Sequence, residues 1–313
     1  MSRVSARLLA LVQGRTSRSK KADRLMLAVA ALTFLIGFGL ALENLPSLDE
    51  PNWGLLGLVA VIGVPLTVAT NAGEYLLSAQ LLGYRVAPQA ALRVSLLAAA
   101  ANLLPLPGAV LVRTQAIRKL GARTGVALGV STLVGVVWLA TSGSLTGLFL
   151  VLYGRWLPGT VCIVVASVLF ALSMHMFSHL GAGATGPMAA RLIAVEIASV
   201  AVKGARLYLI LRSLGYDVQP EQAMALAMAA VISTASGFFP AGLGATEILS
   251  AIVAPLVDLP AAIGLVAAAI DRLIGLGILA LASGIVLIFP SEEDDEPPAG
   301  MTATGPSSSS PPV

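Results

Sequence analysis

Apolar runs too long for a soluble core dominate this chain and decide what it can become. Six of them, at about 25–43, 53–82, 123–152, 157–178, 188–212 and 260–289, read as full membrane spans, because a spanning helix needs about 20 mostly apolar residues. Inside lipid every backbone N–H and C=O must be satisfied within the chain, so runs of this kind fold as helices. Two further apolar segments, 88–120 and 219–257, are interrupted near their centres. The expected fold is an all-α polytopic membrane protein of eight apolar segments. Composition agrees: 57% of residues are apolar, 11% are charged and the mean hydropathy is +0.90, where a soluble domain is about a quarter charged.

The interruptions are Asn102-Leu-Leu-Pro-Leu-Pro-Gly108, with Pro105, Pro107 and Gly108, and Gly237-Phe-Phe-Pro-Ala-Gly-Leu-Gly-Ala-Thr-Glu247, with Pro240, Gly242 and Gly244. Each is followed by a charge, Arg113 or Glu247. Broken helices at membrane depth are tolerated only where protein or a wet cavity surrounds them. A pair of them, one per half, points to a transporter-type site. Each broken segment reads as two spans or as one re-entrant hairpin, and charge favours the hairpin. Arg3, Arg7, Arg15, Arg18, Lys20, Lys21 and Arg24 place the N-terminus in the cytoplasm by the positive-inside rule. The loop with Asp49 and Glu50 is then outside and Arg85 inside. A hairpin over 88–120 keeps Arg118, Lys119 and Arg123 inside as well. Segment 219–257 then dips in from the outside, where Asp217 and Glu221 lie, and the C-terminal tail ends in the cytoplasm. Eight full spans is the alternative from hydropathy alone. The expected location is the plasma membrane, and the basic arm suits anionic lipid better than nucleic acid.

The two halves repeat. Leu82-Gly-Tyr84 recurs as Leu214-Gly-Tyr216 and Pro88 recurs as Pro220, both 132 residues on (214 − 82; 220 − 88). Pro107 matches Pro240 at 133, and Glu74 falls opposite Arg206 at 132. The chain divides into a basic arm (1–22), repeat 1 (23–155), repeat 2 (156–290) and an acidic, Ser/Pro-rich tail (291–313) whose composition predicts disorder. Three full crossings per half invert the second copy, and an inverted repeat carries its site near the midplane between the copies.

Charges near span ends snorkel and need no function; Arg85, Arg93, Arg155, Arg191 and Arg212 belong there. A charge near the bilayer centre costs at least about 2.5 kcal/mol. The deep set is Glu74, Arg113, Glu196, Lys203, Arg206, Glu247, Asp271 and Arg272. Glu196 and Lys203, seven apart, share a helix face, and Lys203 neighbours Arg206 at three. Asp271 and Arg272 point about 100° apart, so at least one needs a partner elsewhere. Glu247 opens a helix, where a carboxylate is favoured by the dipole and where an anionic head group would also bind. Arg113, Arg206 and Arg272 are expected to contact a lipid phosphate, with Glu74, Glu247 and Asp271 balancing them or binding a cationic head group. The plainer alternative is that these residues form buried pairs that only fix helix packing. His175 and His179 have metal-holding spacing but nothing to complete a site, and Cys162 is the only cysteine, so no metal or cofactor is expected. No phosphate-binding Gly-x-x-x-x-Gly-Lys-Ser/Thr loop is present.

Phe239-Pro-Ala-Gly-Leu-Gly-Ala-Thr-Glu247 and the later Asp271-Arg-Leu-Ile-Gly275 resemble the transmembrane region of the lysylphosphatidylglycerol synthase/flippase family, whose members carry similar Pro-Gly-Gly-Leu-Gly-x-x-Glu and Tyr-Arg-Leu blocks. The resemblance covers most of 25–290. Ala241 stands for a glycine, Asp271 for an aromatic, and the first half lacks a Gly-Leu-Gly run. No synthase domain follows the spans, so the resemblance implies the flippase-like part alone and no enzyme. It implies movement of an anionic or aminoacylated phospholipid, or a polyprenyl-linked sugar; a homodimer is a further expectation. Competing expectations are an ion-coupled transporter of a small solute and, last, an intramembrane lipid-modifying enzyme.

Overall fold

A computed structural model describes residues 51–101, 108–178, 186–236 and 244–288. The expected span at 25–43, the basic arm, the tail, His179 and the break residues Pro105, Pro107, Pro240 and Gly242 lie outside the described residues. Among the described residues the chain is helical, with no strand. The helices are α1 (Trp53–Leu81), α2 (Pro88–Ala101), α3 (Gly108–Lys119), α4 (Thr124–Leu152), α5 (Trp156–Ser178), α6 (Gly186–Ser213), α7 (Pro220–Ser236), α8 (Ala245–Val253, extended by a 3-10 turn, Ala254–Val257) and α9 (Ala261–Ile288).

Four of these are long and apolar enough to cross a membrane: Trp53–Leu81, Thr124–Leu152, Trp156–Ser178 and Ala261–Ala282. Helix α6, expected as a span at 188–212, is as long at 28 residues. Its mid-helix Glu196, Lys203 and Arg206 keep it out of that apolar set. The broken segments become pairs of short helices. α2 has 14 residues, α3 has 12 and α7 has 17, about 21, 18 and 26 Å at 1.5 Å per residue. Each is shorter than the ~30 Å hydrocarbon core. α2 packs on α3, and α7 on α8.

Two turns explain why the Leu-Gly-Tyr tripeptides matter. α1 ends with the Tyr84 N–H bonded to the Ala79 carbonyl (3.0 Å) and the Gly83 N–H to that of Gln80 (2.9 Å). α6 ends identically, Tyr216 to Leu211 (3.2 Å) and Gly215 to Arg212 (3.1 Å). This double closure needs a left-handed residue after the cap, and Gly83 (φ 81°) and Gly215 (φ 83°) supply it. Pro88 and Pro220 then each open the next helix, where a missing N–H costs nothing.

α6 is the hub, packed against α1, α4, α7 and α9. Its Leu207, Ile210 and Leu211 meet Leu226 of α7 and Ile263 and Val266 of α9, while Leu192 joins Leu77, Leu81, Val130 and Leu133 of α1 and α4. Across the halves, α2 packs on α9 and α7 packs on α4. α5 lies against α4 along a glycine seam. A Cβ on Gly147 would fall 2.7 Å from the Gly159 carbonyl oxygen, and one on Gly159 2.7 Å from Val151 Cγ2. Backbones this close hold by van der Waals contact, the force available between helices in lipid. The outer face of α5, with Leu157, Val161, Val164, Val165 and Val168, is exposed, as a lipid-facing surface is.

α1 is not regular throughout. A π-helical turn spans Val59–Gly63, just where Arg206 of α6 packs across it. A Cβ on Gly63 would lie 2.8 Å from Arg206 Cγ, so only glycine leaves room for the guanidinium stem.

Candidate functional site

The eight deep charges gather in two groups. In the first, Arg113 Nη1 of α3 donates to Glu74 Oε2 of α1 at 2.8 Å. Glu196 of α6, wholly buried, brings its carboxyl against that of Glu74. In the second, Asp271 of α9 takes Lys203 and Arg206 of α6 together, with Arg206 Nη2 at 2.7 Å from Asp271 Oδ1. Arg206 Nη2 also donates to the Asp271 backbone carbonyl (3.2 Å), and its Nη1 to Thr67 Oγ1 of α1 (3.0 Å). Arg272 turns the other way. Its Nε lies 2.7 Å from Glu247 Oε1 of α8, and its Nη2 donates to Thr246 Oγ1 at 2.8 Å. The adjacent Asp271 and Arg272 thus have separate partners, as a 100° separation on a helix demands.

The geometry gives two residues of one helix face different partners. Glu196 and Lys203 share a helix but not a partner: Glu196 turns to α1 and α3, Lys203 to α9. Gly244 caps α8 at φ 78°, which aims Glu247 from the first turn toward Arg272. His175 has no completed metal set beside it; no cluster of three metal-ligating side chains occurs among the described residues.

A cavity of about 590 Å³ opens between the helices. The first half of the chain lines it with Thr67, Asn71, Glu74, Ser95, Arg113, Ser142 and Thr146, and the second half with Ser199, Lys203 and Val231. Arg113 Nε and the hydroxyls of Ser95, Ser142 and Thr146 are buried without a hydrogen-bond partner among the described residues. Buried polar groups ordinarily have partners, so this surface can accept a polar ligand. A smaller cavity of about 160 Å³ is lined by Arg206, Thr246, Asp271 and Arg272. Lys203 lines both.

A third polar cluster joins α4, α7 and the turn after α8, and sequence reading missed it. Arg155 Nη2 lies 2.5 Å from Asp258 Oδ1 and Tyr153 Oη donates to Asp258 Oδ2 at 3.2 Å. Gln222 Nε2 donates to the Val257 carbonyl (2.7 Å) and to Tyr153 Oη (3.2 Å). Burial first, then Asp258, raises the Tyr153 phenol above its ordinary pKa, so it stays a donor. Asp258 sits in the left-handed region at φ 58°, which Asp tolerates better than most residues. The carboxylate of Asp258 and guanidinium of Arg155 are largely exposed, so their pairing is worth only about 0–1 kcal/mol.

No family model matches the chain, and no curated protein matches it. The functional reading therefore stands on the geometry of the two charge groups and the cavity between them.

Proposed function

We propose that this protein is a lipid translocator of the kind its resemblance to the lysylphosphatidylglycerol synthase/flippase transmembrane region implies, and that it works in the plasma membrane without enzymatic chemistry. The observation that carries the reading is the 590 Å³ cavity between the two halves, with Arg113 and Lys203 on its wall. An anionic lipid head group would enter it, exchange its water for Arg113 Nε and the free hydroxyls, and leave its acyl chains in the bilayer. Guanidinium suits a phosphate because its fork offers paired donors.

The inverted repeat supports the same reading. Matching Leu-Gly-Tyr turns, Pro-started helices and short helix pairs recur in order. Packing is reciprocal: α2 of the first half lies on α9 of the second, and α7 of the second on α4 of the first. Read this way, α2–α3 and α7–α8 are re-entrant hairpins entering from opposite faces, and both termini are cytoplasmic. Arg118, Lys119 and Arg123 form a basic cup at the α3–α4 turn, which belongs on the side of anionic lipid.

The test is a dithionite-quenching assay of fluorescent phosphatidylglycerol in liposomes holding the purified chain. Movement well above protein-free liposomes is expected, and Arg113→Ala should reduce it at least tenfold while the protein stays folded. Unchanged movement in Arg113→Ala, or none in the parent, overturns the reading.

A further inference from the structure

The two charge groups are not each neutral. Lys203, Arg206 and Arg272 face Asp271 and Glu247, three cations to two carboxylates. Glu74 and Glu196 face Arg113, two carboxylates to one cation. Neither Glu196 oxygen has a hydrogen-bond partner among the described residues, yet its carboxyl lies against that of Glu74. Ionised carboxylates only accept hydrogen bonds. Two of them in contact, one wholly buried, repel and cannot both stay ionised. A proton on either turns the contact into a hydrogen bond and brings the group to neutrality.

Among the described residues, the other cation on this cavity wall is Lys203, which is paired with Asp271. α4 carries no charged side chain and α7 only Glu221, at its start. α2 carries only Arg93, α3 adds Arg118 and Lys119 in its last turn, and α1 adds only Tyr75 as a titratable group. On α9, Asp271 and Arg272 are committed to the second group. Arg191, Arg212 and the two second-group cations are the remaining charges of α6 itself, and the charges acting on Glu196 are Glu74 and Arg113.

We propose that Glu74 and Glu196 form a proton site that couples lipid movement to the proton gradient. The inference rests on the translocator reading. Before a head group arrives, the pair holds one proton, and Arg113 balances the remaining negative charge. When an anionic head group takes Arg113, Glu74 loses its counter-ion beside the cavity and takes a second proton from water. The loaded site is again neutral: Arg113 with the anion, and both carboxyls protonated. Release reverses each step, so one proton crosses with each negative head-group charge. A loaded site that took up no second proton would hold an unpaired buried carboxylate, which is strongly disfavoured.

Two measurements test this. Infrared difference spectra of the purified full chain at neutral pH should show a protonated carboxyl stretch that disappears in Glu196→Gln or Glu74→Gln. Its absence in the parent overturns the proton site, whatever is transported. In liposomes carrying pyranine, a one-unit pH gradient should bias fluorescent phosphatidylglycerol movement by up to about tenfold, since a pH unit is a tenfold proton ratio. Lumenal pH should shift only when the lipid is present, and the bias should fall to about onefold when both carboxyls are removed, in Glu74→Gln with Glu196→Gln. Lipid movement indifferent to the gradient, or driven by sodium instead, overturns coupling and leaves the translocator reading standing. Absence of lipid movement under every condition overturns that reading, and the infrared result then stands as the test of the proton site.

Discussion

At the scale of the residue, burial separates ion pairs that matter from those that do not. Glu247 is 2% exposed and its pair with Arg272 is closed at 2.7 Å. Removing one member strands the other, at a cost of about 3–5 kcal/mol. Glu247→Gln should therefore lower the thermal midpoint sharply, and the double substitution Glu247→Gln with Arg272→Gln should recover much of the loss. A double-mutant cycle on thermal unfolding in detergent should give a coupling above about 1 kcal/mol. The same cycle at the exposed Arg155–Asp258 pair should give less than about 1 kcal/mol. For the same reason, charge reversal at Arg272 confounds folding with transport, because it sets a second carboxylate beside Glu247.

At the scale of the element, two glycines of α4 make opposite predictions. Gly147 sits in the seam with α5, and a leucine there has no room. Gly147→Leu should lower the thermal midpoint and weaken α5 against limited proteolysis, because overpacking costs about 1–3 kcal/mol or more. Gly135 has nothing within 4 Å of its would-be Cβ and lines the large cavity. Gly135→Leu should leave the midpoint within about 1 kcal/mol of the parent and still block fluorescent lipid movement by filling the cavity. Retained movement would mean that the head group takes another route. Elements were the most legible part of the sequence. The expected spans 53–82, 123–152 and 157–178 meet Trp53–Leu81, Thr124–Leu152 and Trp156–Ser178, because lipid punishes any break in an exposed backbone. The partners of the charges were not legible. Lys203 and Asp271 are 68 residues apart, and only packing brings them together. Glu196 and Lys203 share a face of α6, but which helix each meets depends on how α1 and α9 pack there, which spacing alone does not give. The cavity hydroxyls carried no signal, since Ser and Thr are common along apolar helices. The cluster at Asp258 needed a left-handed turn that no motif announced.

At the scale of the whole molecule, the proposed inverted repeat has a direct consequence for the two matching turns. Arg85 follows one and Asp217 the other, and both are exposed. In a background with Cys162 changed to alanine, Arg85→Cys and Asp217→Cys should react with a membrane-impermeant maleimide from opposite sides of sealed vesicles. Labelling of both from one side would rule out inversion of the second half.

The π-helical turn in α1 bears on how this chain tolerates changes in length. The start of α1 is pinned, with the Asn52 N–H donating to the Ser213 carbonyl at 2.9 Å, while Thr67, Asn71 and Glu74 further on line the cavity. The π turn holds one residue more than an α-helical path between those two fixtures would use. Deleting one residue from 59–63 would restore regular winding between the same two fixtures and leave Glu74 on Arg113 and Thr67 on Arg206. Substitutions along this stretch, Gly63 apart, would be comparatively mild. The stretch is therefore slack in length as well as in letters, and a relative one residue shorter here should keep the same cavity wall.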